Sequence, residues 1–577
     1  GDVLAMVSEN IVECFWIEYA ALALGARVVC AYPDVTPEEL LFMLDHSEAT
    51  LLVAEDQEQT DKYLAIKDRL PRVRHVVYID DRGLWHYDDA RLTKYDDLVA
   101  AGSMRAQADP TFVYREIDQG HQDDVAAICY TSGTTGLPKG AMLPHRFLLD
   151  GAYRIMAAQR IPRHAAYLSY ISPAWAAEQL MAFALGLLAP MVINFSEKPD
   201  TVQHDLREVG PEYLLFTPRQ WEMLASDVQA RMLDAGFVRQ KLYAWAVKIG
   251  KRARSKHSGF LARAALPLAE HLVLKHIRDN LGLSKAIAVL SGGSGLSSEV
   301  FELFHAFGVP LRNVYGTTEL GLLSSHWHGD FDPNTMGEIL PNDPTIGQPI
   351  EAWIDEAGQL RVRCCAFSGY LKNDEATAEL GQCEDGYRTG DAVRIDERGQ
   401  LIFLDRLKDL RRLRNGQPFP PQFIENNLRA SPFIKDVMVL GDQTRDFVAA
   451  LININAEICG RFAERRGLAY GTFSELSQLP AIRAEVAAAI REVNRRLEPG
   501  ARIASFATSP KEFDADEAEL TRSRKLRREQ VAKHYKDIIA AIYGQVDSCH
   551  AEIKVRYQDG REMQMKAQVA INVVGEN

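Results

Sequence analysis

The sequence predicts an α/β protein with a large N-terminal lobe of parallel-rich sheets and flanking helices, a small β-rich module, and a smaller α+β C-terminal domain. The chain has 577 residues, too many for one core, because domains commonly hold about 100–200 residues. Over its first half, short apolar runs alternate with stretches of helical spacing, which is typical of parallel strands covered on both faces. Beyond residue 345 the pattern changes to short strands separated by glycine turns.

The N-terminal elements begin this alternation. Residues 3–7 and 27–31 are apolar runs that predict buried strands, and residues 11–24 between them have helical spacing. Thr36 followed by Pro37 predicts the start of the next helix, because threonine is a good N-cap and proline suits the first helical position. Further strands are predicted at residues 51–54, 125–130, 213–216 and 286–290.

The middle of the chain is mainly helical. Residues 228–283 have helical periodicity with scattered Lys and Arg and no strand signal. The most apolar window, residues 179–193, is shorter than the about 20 residues that a membrane span needs, and Pro190 interrupts it. It therefore predicts a buried core helix, and we expect no transmembrane segment.

The C-terminal half divides at a charged segment, residues 405–416, which we expect to be a linker. The predicted N-terminal lobe covers residues 1–404, with the β-rich module at about 345–404. Residues 405–410 form the predicted hinge and residues 411–577 the C-terminal domain. Alternating residues around a central Asp-Gly turn predict a terminal hairpin at about residues 550–573, expected to form an added sheet edge or a dimer contact.

Composition and charge exclude several classes of protein. Apolar residues make up 47% of the chain and charged residues 25%, as in ordinary globular proteins. The formal net charge of −13 argues against nucleic-acid binding, which needs a basic footprint. Eight cysteines without zinc spacing predict reduced thiols and a cytoplasmic location. The chain begins with Gly1 rather than Met, so we expect its N-terminus to be incomplete, which leaves a signal peptide open.

The strongest local signal is the run YTSGTTGLPKG at residues 130–140. Glycines allow backbone N–H groups to approach an anion, hydroxyls donate to phosphate oxygens, and Lys139 adds a positive charge. The Walker pattern G-x-x-x-x-G-K-[S/T] does not fit, because Gly136 lies only three residues before Lys139 and Gly140 follows it. The run therefore predicts a phosphate loop of a different kind.

This loop resembles the signature of the acyl-adenylate-forming superfamily, which includes acyl-CoA synthetases, luciferases and peptide-synthetase adenylation domains. Further motifs of that superfamily follow in its order. They are SGGSGL at residues 291–296, YGTTE at 315–319, GYLKN at 369–373, YRTGD at 387–391, DRLKD at 405–409 and LTRSRK at 520–525. The resemblance extends from residue 1 to about residue 540.

The resemblance implies a role for each motif. Tyr315 would stack on adenine, Thr318 would bind the α-phosphate, and Glu319 would hold Mg²⁺, which prefers oxygen ligands. Asp391 would accept the ribose hydroxyls, and Arg406 would contact ribose or phosphate. The full predicted nucleotide site is Thr131, Ser132, Gly133, Thr134, Thr135, Gly136, Lys139, Gly292, Gly293, Ser294, Tyr315, Gly316, Thr317, Thr318, Asp391 and Arg406.

The resemblance also implies a two-state enzyme. Lys525 would bridge the carboxylate and the α-phosphate during adenylation, so the predicted catalytic residues are Lys525, Thr318, Glu319 and Lys139. Lys408 occupies the position of the hinge about which a mobile C-terminal domain rotates between adenylation and thioester formation. Taken alone, each of these side chains also suits a structural role: Tyr315 as a core residue, Asp391 as a turn residue and Lys525 as a solvated cation.

Three segments resemble bacterial long-chain acyl-CoA synthetases: TPRQWE at 217–222, the long helical segment at about 228–283, and ISPAW at 171–175. They make Trp175 and Trp221 candidates for an acyl pocket, with Trp221 as its gate or as a core anchor. After the hinge, Asn415-Gly416 stands where the family has Gly-Gly. Arg411, Arg412, Arg414 and Gly416 either form a CoA channel or belong to a solvated linker face.

The implied reaction is the conversion of a hydrophobic, long-chain or bulky carboxylic acid to acyl-AMP and then to acyl-CoA. It would use ATP, Mg²⁺ and the co-substrate CoA. Two alternatives stay open: loading of a carrier-protein phosphopantetheine, and a non-catalytic nucleotide-binding relative. Peripheral membrane contact and a homodimer also stay open.

Overall fold

The computed structural model describes residues 1–131, 138–255, 259–329, 332–342, 348–381, 384–429, 431–495, 497–514, 519–520, 526–556 and 562–575, without the side chains of residues 233, 553–556 and 562–565. Its strands form three large sheets and a smaller antiparallel sheet, with helices packed between and around them. The predicted α/β class, with a large N-terminal part and a smaller C-terminal part, is confirmed. The mobility of the C-terminal part stays a prediction.

The first sheet has seven strands in the order β5-β4-β3-β1-β2-β6-β7. All neighbours are parallel except β6 and β7, which form a hairpin. Its strands are β1 Val3–Val7, β2 Arg27–Ala31, β3 Leu51–Ala54, β4 His75–Tyr78, β5 Leu92–Lys94, β6 Val125–Thr131 and β7 Lys139–Pro144.

The second sheet also has seven strands, in the order β14-β13-β12-β11-β10-β8-β9. The five strands from β12 to β9 are parallel, β13 is added antiparallel to β12, and β14 is added antiparallel to β13. Its strands are β8 Ala166–Ser169, β9 Val192–Phe195, β10 Tyr213–Phe216, β11 Ala288–Ser291, β12 Leu311–Thr317, β13 Gly321–Ser325 and β14 Glu338–Ile339.

The remaining strands belong to the β-rich module and the C-terminal part. The module is an antiparallel sheet of β15 Glu351–Ile354, β16 Gln359–Arg363, β17 Tyr387–Ile395 and β18 Leu401–Arg406. A short hairpin of β19 Arg411–Arg412 and β20 Pro418–Phe419 follows. The C-terminal sheet, ordered β21-β22-β23-β25-β24, contains β21 Ile434–Leu440, β22 Val448–Ile454, β23 Ile503–Thr508, β24 Ser548–Arg556 and β25 Glu562–Val573.

Helices cover both faces of these sheets. They are α1 Val12–Ala23, α2 Pro37–Ser47, α3 Gln57–Leu64, α4 Tyr95–Ala108, α5 Phe112–Ile117, α6 His145–Gln159, α7 Ala176–Glu178, α8 Leu185–Leu188, α9 Val202–Val209, α10 Pro218–Asp234, α11 Phe237–Arg254, α12 Phe260–Ala269, α13 Lys275–Asn280, α14 Ser298–Phe307, α15 Asp374–Glu379, α16 Pro421–Leu428, α17 Ala456–Arg465, α18 Phe473–Gln478, α19 Pro480–Asn494, α20 Arg528–His534 and α21 Lys536–Tyr543. A π-helical turn, Gln179–Ala184, joins α7 to α8, and another, Glu270–Leu274, joins α12 to α13.

The start of α2 shows how local sequence fixes an element. The Thr36 hydroxyl accepts a hydrogen bond from the Glu39 N–H, and the Glu39 carboxylate accepts one from the Thr36 N–H, which is the reciprocal capping box. Pro37 occupies the first turn, where its missing N–H costs nothing. The predicted helix start at Thr36 is confirmed.

Two predicted elements need correction. The helix expected over residues 179–193 ends at Leu188, and Val192–Phe195 is the edge strand β9 instead. A short apolar run suits a buried helix and a buried strand equally well, and Pro190 marks the break between them. The segment 405–416, expected as a linker, is mostly ordered into the end of β18, a 3₁₀ turn at Leu407–Asp409 and β19.

The terminal hairpin is present as predicted and belongs to the C-terminal sheet. β25 pairs with β23 on one side and with β24 on the other, so the hairpin extends the sheet and β24 becomes its edge. Alternate residues of β22 point to two different cores: Ala450 packs with α17 and α19, and Leu451 packs with α20 and α21. In the part of the chain that is described, no helix is both long and apolar enough to cross a membrane.

Candidate active site

The predicted phosphate loop begins at the end of β6 and ends at the start of β7. Thr131 at the end of β6 pairs with Lys139 at the start of β7, so the hairpin brings both ends of the loop together. Of the predicted loop residues, Ser132, Gly133, Thr134, Thr135 and Gly136 lie outside the described residues. The antiparallel pairing places Lys139 at the carboxyl end of β6, the end at which parallel sheets commonly bind ligands.

Lys139, Tyr370 and Glu319 lie together. The Lys139 Nζ is 5.4 Å from the centroid of the Tyr370 ring, within cation–π range. The Tyr370 hydroxyl donates a 2.6 Å hydrogen bond to the Glu319 Oε1. Burial and the neighbouring Glu319 charge raise the pKa of Tyr370, so its hydroxyl remains a donor at neutral pH. Sequence reasoning gave Tyr370 no role, although it stands in the quoted motif GYLKN.

The ribose motif lies where β12 meets the β-rich module. The Tyr315 hydroxyl donates a 2.6 Å hydrogen bond to Oδ2 of Asp391, on β17. The Arg406 Nη1, on the neighbouring strand β18, lies 3.0 Å from Oδ1 of Asp391 but is not aligned to donate a hydrogen bond to it. Oδ1 is therefore a buried acceptor without a hydrogen-bond donor among the described residues.

Burial controls the electrostatics of this group. Burial raises the pKa of the Asp391 carboxyl, and the Arg406 charge and the Tyr315 hydroxyl oppose that shift. Burial and the Asp391 charge raise the pKa of Tyr315 well above its usual value, which keeps its hydroxyl protonated as a donor. Because Oδ1 lacks a donor among the described residues, it keeps hydrogen-bonding capacity that a ligand hydroxyl could satisfy.

Two glycines in the predicted nucleotide motifs are required by close backbone approach. A Cβ at Gly316 would lie 2.2 Å from the carbonyl oxygen of Gly321, a contact that no side chain tolerates. Gly293 has a φ of +92°, which favours glycine, and its Cα faces the ring of Trp175, 3.2 Å from the position of an added Cβ. Trp175, predicted for the acyl pocket, therefore packs against the predicted adenine turn.

The other predicted residues in these motifs lie on the same loops. Gly292 packs closely on Val314, and Ser294 is exposed. Thr317 accepts a 3.1 Å hydrogen bond from the Leu320 N–H through its hydroxyl, which shapes the turn that carries Thr318 and Glu319. No group of three or more His, Cys, Asp or Glu side chains suited to a metal ion occurs among the described residues.

Comparison with known proteins identifies the family. A family model described as AMP-binding enzyme matches residues 1–370, and a second, AMP-binding enzyme C-terminal domain, matches residues 408–547. The chain belongs to the AMP-binding enzyme family. The predicted membership of the acyl-adenylate-forming superfamily, with resemblance to fatty acyl-CoA synthetases, is confirmed.

Its relatives include fatty-acid ligases. The chain is 28% identical to long-chain-fatty-acid--CoA ligase FadD15 of Mycobacterium tuberculosis, over 94% of this chain and 88% of that protein. It is 26% identical to long-chain-fatty-acid--CoA ligase ACSBG2 of Gallus gallus, over 93% and 74% of the two chains. These names support the predicted class of acid–thiol ligase.

Solved structures share the fold at low identity. The adenylation domain of the carboxylate reductase of Mycobacterium chelonae matches 94% of this chain and 81% of its own, with a TM-score of 0.64 and 19% identity. ATP-bound MatB of Rhodopseudomonas palustris matches 93% and 89%, with a TM-score of 0.60 and 19% identity. The α/β fold predicted for this AMP-binding enzyme is thereby confirmed.

The predicted hinge and CoA residues follow β18. Lys408 is exposed in the 3₁₀ turn between β18 and β19. Arg414 is bound to the Asp446 carboxylate at 2.8 Å, and Arg412 donates to the carbonyl of Gly416. Arg411 donates to the Gly441 carbonyl at 3.4 Å. In this conformation Arg414 is engaged within the C-terminal domain, and the CoA role of these residues stays a prediction.

Trp221 is a core side chain in this conformation. It is fully buried, its Nε1 donates to the Leu290 carbonyl at 3.3 Å, and its ring contacts Phe216 and Phe304. The packing agrees with the core-anchor interpretation, and the gate role stays a prediction.

Of the predicted catalytic-lysine motif at residues 520–525, the structure describes Leu520. Lys525 lies outside the described residues, and Leu520 forms an antiparallel bridge with Leu526. The adjacent Glu519 is fully buried, and its carboxylate binds the Lys511 Nζ at 2.8 Å and the His534 Nδ1 at 3.0 Å. Sequence reasoning missed this cluster, because its members are separated along the chain.

Proposed function

We propose that this enzyme uses ATP to activate a hydrophobic, long-chain or bulky carboxylic acid as acyl-AMP and then transfers the acyl group to CoA. An acid carboxylate oxygen attacks the α-phosphorus of ATP, and pyrophosphate leaves. The CoA sulfur then attacks the acyl carbon, and AMP leaves. The observation that carries the proposal is the buried Asp391 carboxylate with an available Oδ1 beside Tyr315.

The proposed site residues have separate roles in adenylation. Asp391 accepts ribose hydroxyls, and Tyr315 is held by its hydroxyl bond to Asp391 so that its ring can stack on the base. Thr318 and Lys139 bind the phosphates, and Arg406 adds positive charge at the ribose. Lys525 stabilises the negative charge that develops between the carboxylate and the α-phosphate.

Glu319 fits the predicted role of a magnesium ligand. Only its Oε1 is bonded by a described side chain, that of Tyr370, and among the described residues Glu319 belongs to no group of three or more metal-ligating side chains. Mg²⁺ is commonly held by one or two carboxylates together with substrate phosphates and water, so a single carboxylate suffices. When bound, Mg²⁺ neutralises phosphate charge.

The resemblance and the position of Trp175 support a site for the acid beside the nucleotide. This side chain lies against Gly293, so an acyl chain beside it would start next to the nucleotide. An apolar pocket suits a long chain, because each buried CH₂ contributes about 0.8 kcal/mol.

The predicted cytoplasmic location and homodimer stay predictions, which cell fractionation and analytical ultracentrifugation would test.

Carrier-protein loading is the second candidate. Fold neighbours include the A-PCP didomain of a carboxylic acid reductase from Segniliparus rugosus, with a TM-score of 0.64 and 18% identity. In this chain Asn415-Gly416 stands where the family has Gly-Gly, and Arg414 binds Asp446. The residues therefore support the adenylation site more strongly than they support CoA as the thiol acceptor. The third alternative, a non-catalytic relative, is disfavoured by the presence of Lys139, Glu319 and Lys525.

A pyrophosphate-release screen over acids of increasing length and bulk tests the proposal. We expect release that depends on ATP, Mg²⁺ and a hydrophobic acid, followed by AMP release on addition of CoA. Release of AMP with a phosphopantetheine carrier protein but not with CoA would favour the second candidate. The proposed function would be wrong if no acid gave pyrophosphate.

The Lys525→Ala variant separates the two half-reactions. We expect it to abolish acyl-AMP formation and to leave CoA transfer from preformed acyl-AMP largely intact, because the proposed rotation removes Lys525 from the second step. Lys533→Ala, an exposed lysine on α20, is the matched control. Equal loss of both half-reactions would contradict the two-state account.

A further inference from the structure

The segment from α11 to α13 concentrates positive charge in an acidic protein. Residues 237–280 contain ten Lys and Arg and only two carboxylates, whereas the whole chain has a net charge of −13. One of the two carboxylates, Glu270, is bound by Arg254 and by Arg278, whose Nη2 lies 2.8 Å from it. The positive charge of this region is therefore little offset by acids of its own.

The helix α12 and the π turn after it carry apolar residues on a buried face and also on an exposed face. Ala262, Ala269 and Leu274 are buried against the lobe. On the solvent side, Leu261, Leu268 and Leu272 are 82%, 55% and 44% exposed. Leu261 and Leu268 have the i, i+7 spacing that places them on one side of α12, and Leu272 follows in the π turn. Phe260, at the first position of α12, is 84% exposed.

The neighbouring helix α11 presents a matching row of cations. Lys241, Lys248 and Arg252 are exposed and have the same spacing of i, i+7 and i+11. The opposite side of α11 is buried on α14, where a Cβ at Gly250 would meet the Ala306 carbonyl. The helices α11 and α12 pack on each other, and the cation row and the apolar row each lie on the exposed side of their helix.

We propose that this basic–apolar face, formed by Lys241, Lys248, Arg252, Phe260, Leu261, Leu268 and Leu272, docks the enzyme on an anionic lipid membrane. Helices that lie in a membrane interface place Leu and Phe among the acyl chains and Lys or Arg at the head groups, which is the arrangement found here. A polyanion without an apolar phase would satisfy the cations and leave the exposed leucines in water. The inference concerns a surface and holds whichever acid the site activates.

Vesicle co-sedimentation of the full chain tests this inference. We expect binding to vesicles of phosphatidylcholine with roughly a third of phosphatidylglycerol, little binding to phosphatidylcholine alone, and weaker binding at high salt. The variant Leu261→Ser with Leu268→Ser and the variant Lys241→Gln with Lys248→Gln should each bind about tenfold more weakly. All four side chains are exposed, so the variants should fold.

The matched control is Trp85→Ser, which removes an exposed aromatic side chain from the first lobe and should bind like the wild type. Pyrophosphate release with a water-soluble acid should be unchanged in all variants, so that failure of docking and failure of the proposed reaction are distinguishable. The inference is overturned if the wild type ignores anionic vesicles, or if the serine variant binds them as the wild type does. Binding of DNA or an acidic protein through the cations alone, without vesicle binding, would also overturn it.

Discussion

Replacing Asp391 by asparagine tests the ribose site with little change in volume. The wild-type carboxylate receives the Tyr315 hydroxyl on Oδ2 and keeps Oδ1 as a buried acceptor beside Arg406. Asp391→Asn removes the negative charge and turns one of the two acceptors into a donor. A ribose hydroxyl then loses a charged acceptor, while the ring of Tyr315 is retained for the base.

The structure sets the size of the expected loss. A hydrogen bond to a charged group contributes about 1.5–3 kcal/mol, so the loss of one corresponds to about 10–150-fold weaker ATP binding. The fold should lose little, because burial raises the pKa of Asp391 and therefore already penalises its charged form. We expect weaker nucleotide binding with a nearly unchanged thermal unfolding midpoint.

Isothermal titration with ATP, together with a thermal melt of the same preparation, measures both quantities. The matched control is Asp385→Asn, an exposed aspartate shortly before β17, which should bind ATP like the wild type. Wild-type ATP affinity in Asp391→Asn would refute the ribose assignment. A large fall in the melting midpoint together with lost binding would show that Asp391 acts mainly on the fold.

Two further predictions concern buried carboxylates. Burial raises the pKa of Glu178 to about 7. Between about pH 5 and 7 the folded state therefore holds a proton that the unfolded state has lost. The free energy of unfolding then falls as pH rises, by at most about 1.4 kcal/mol per pH unit. Glu178→Gln should flatten this fall in urea midpoints measured across the range, and a slope equal to that of the wild type would contradict the assignment. Glu519→Gln removes the carboxylate charge from Lys511, which is only 11% exposed, and should destabilise the C-terminal part by about 3–5 kcal/mol. If Glu519 positions the segment that carries Lys525, half-reaction assays of the Glu519→Gln variant should show a larger loss in acyl-AMP formation than in CoA transfer. Equal losses in the two half-reactions would contradict this positioning role.

The sequence alone predicted those elements whose position depends on neighbouring residues in the chain. The buried strands β1, β2, β3 and β10 are apolar runs of the predicted length, and the capping box at Thr36 fixes the start of α2. The phosphate-loop motif begins at the end of β6 and the predicted adenine turn begins at the end of β11, while their nucleotide roles stay predictions.

The remaining features depend on contacts between distant parts of the chain. The strands β4 and β5 were not predicted, because β4 His75–Tyr78 buries only its two valines and β5 Leu92–Lys94 has no fully buried residue, so neither forms a continuous apolar run. The bond between Tyr315 and Asp391 joins residues 76 positions apart, and that between Tyr370 and Glu319 joins residues 51 apart. No sequence periodicity predicts contacts between residues so far apart, because they form only when the β-rich module packs on the second sheet.

The position of the terminal hairpin bears on how the C-terminal part can be produced alone. The C-terminal family match ends at residue 547, yet β25 beyond it supplies the partner of β23. A fragment cut at 547 would lose two of five strands and leave the hydrogen-bonding groups of β23 open to a second molecule, a common route to edge-to-edge aggregation. Any fragment meant to remain monomeric therefore has to extend through Val573.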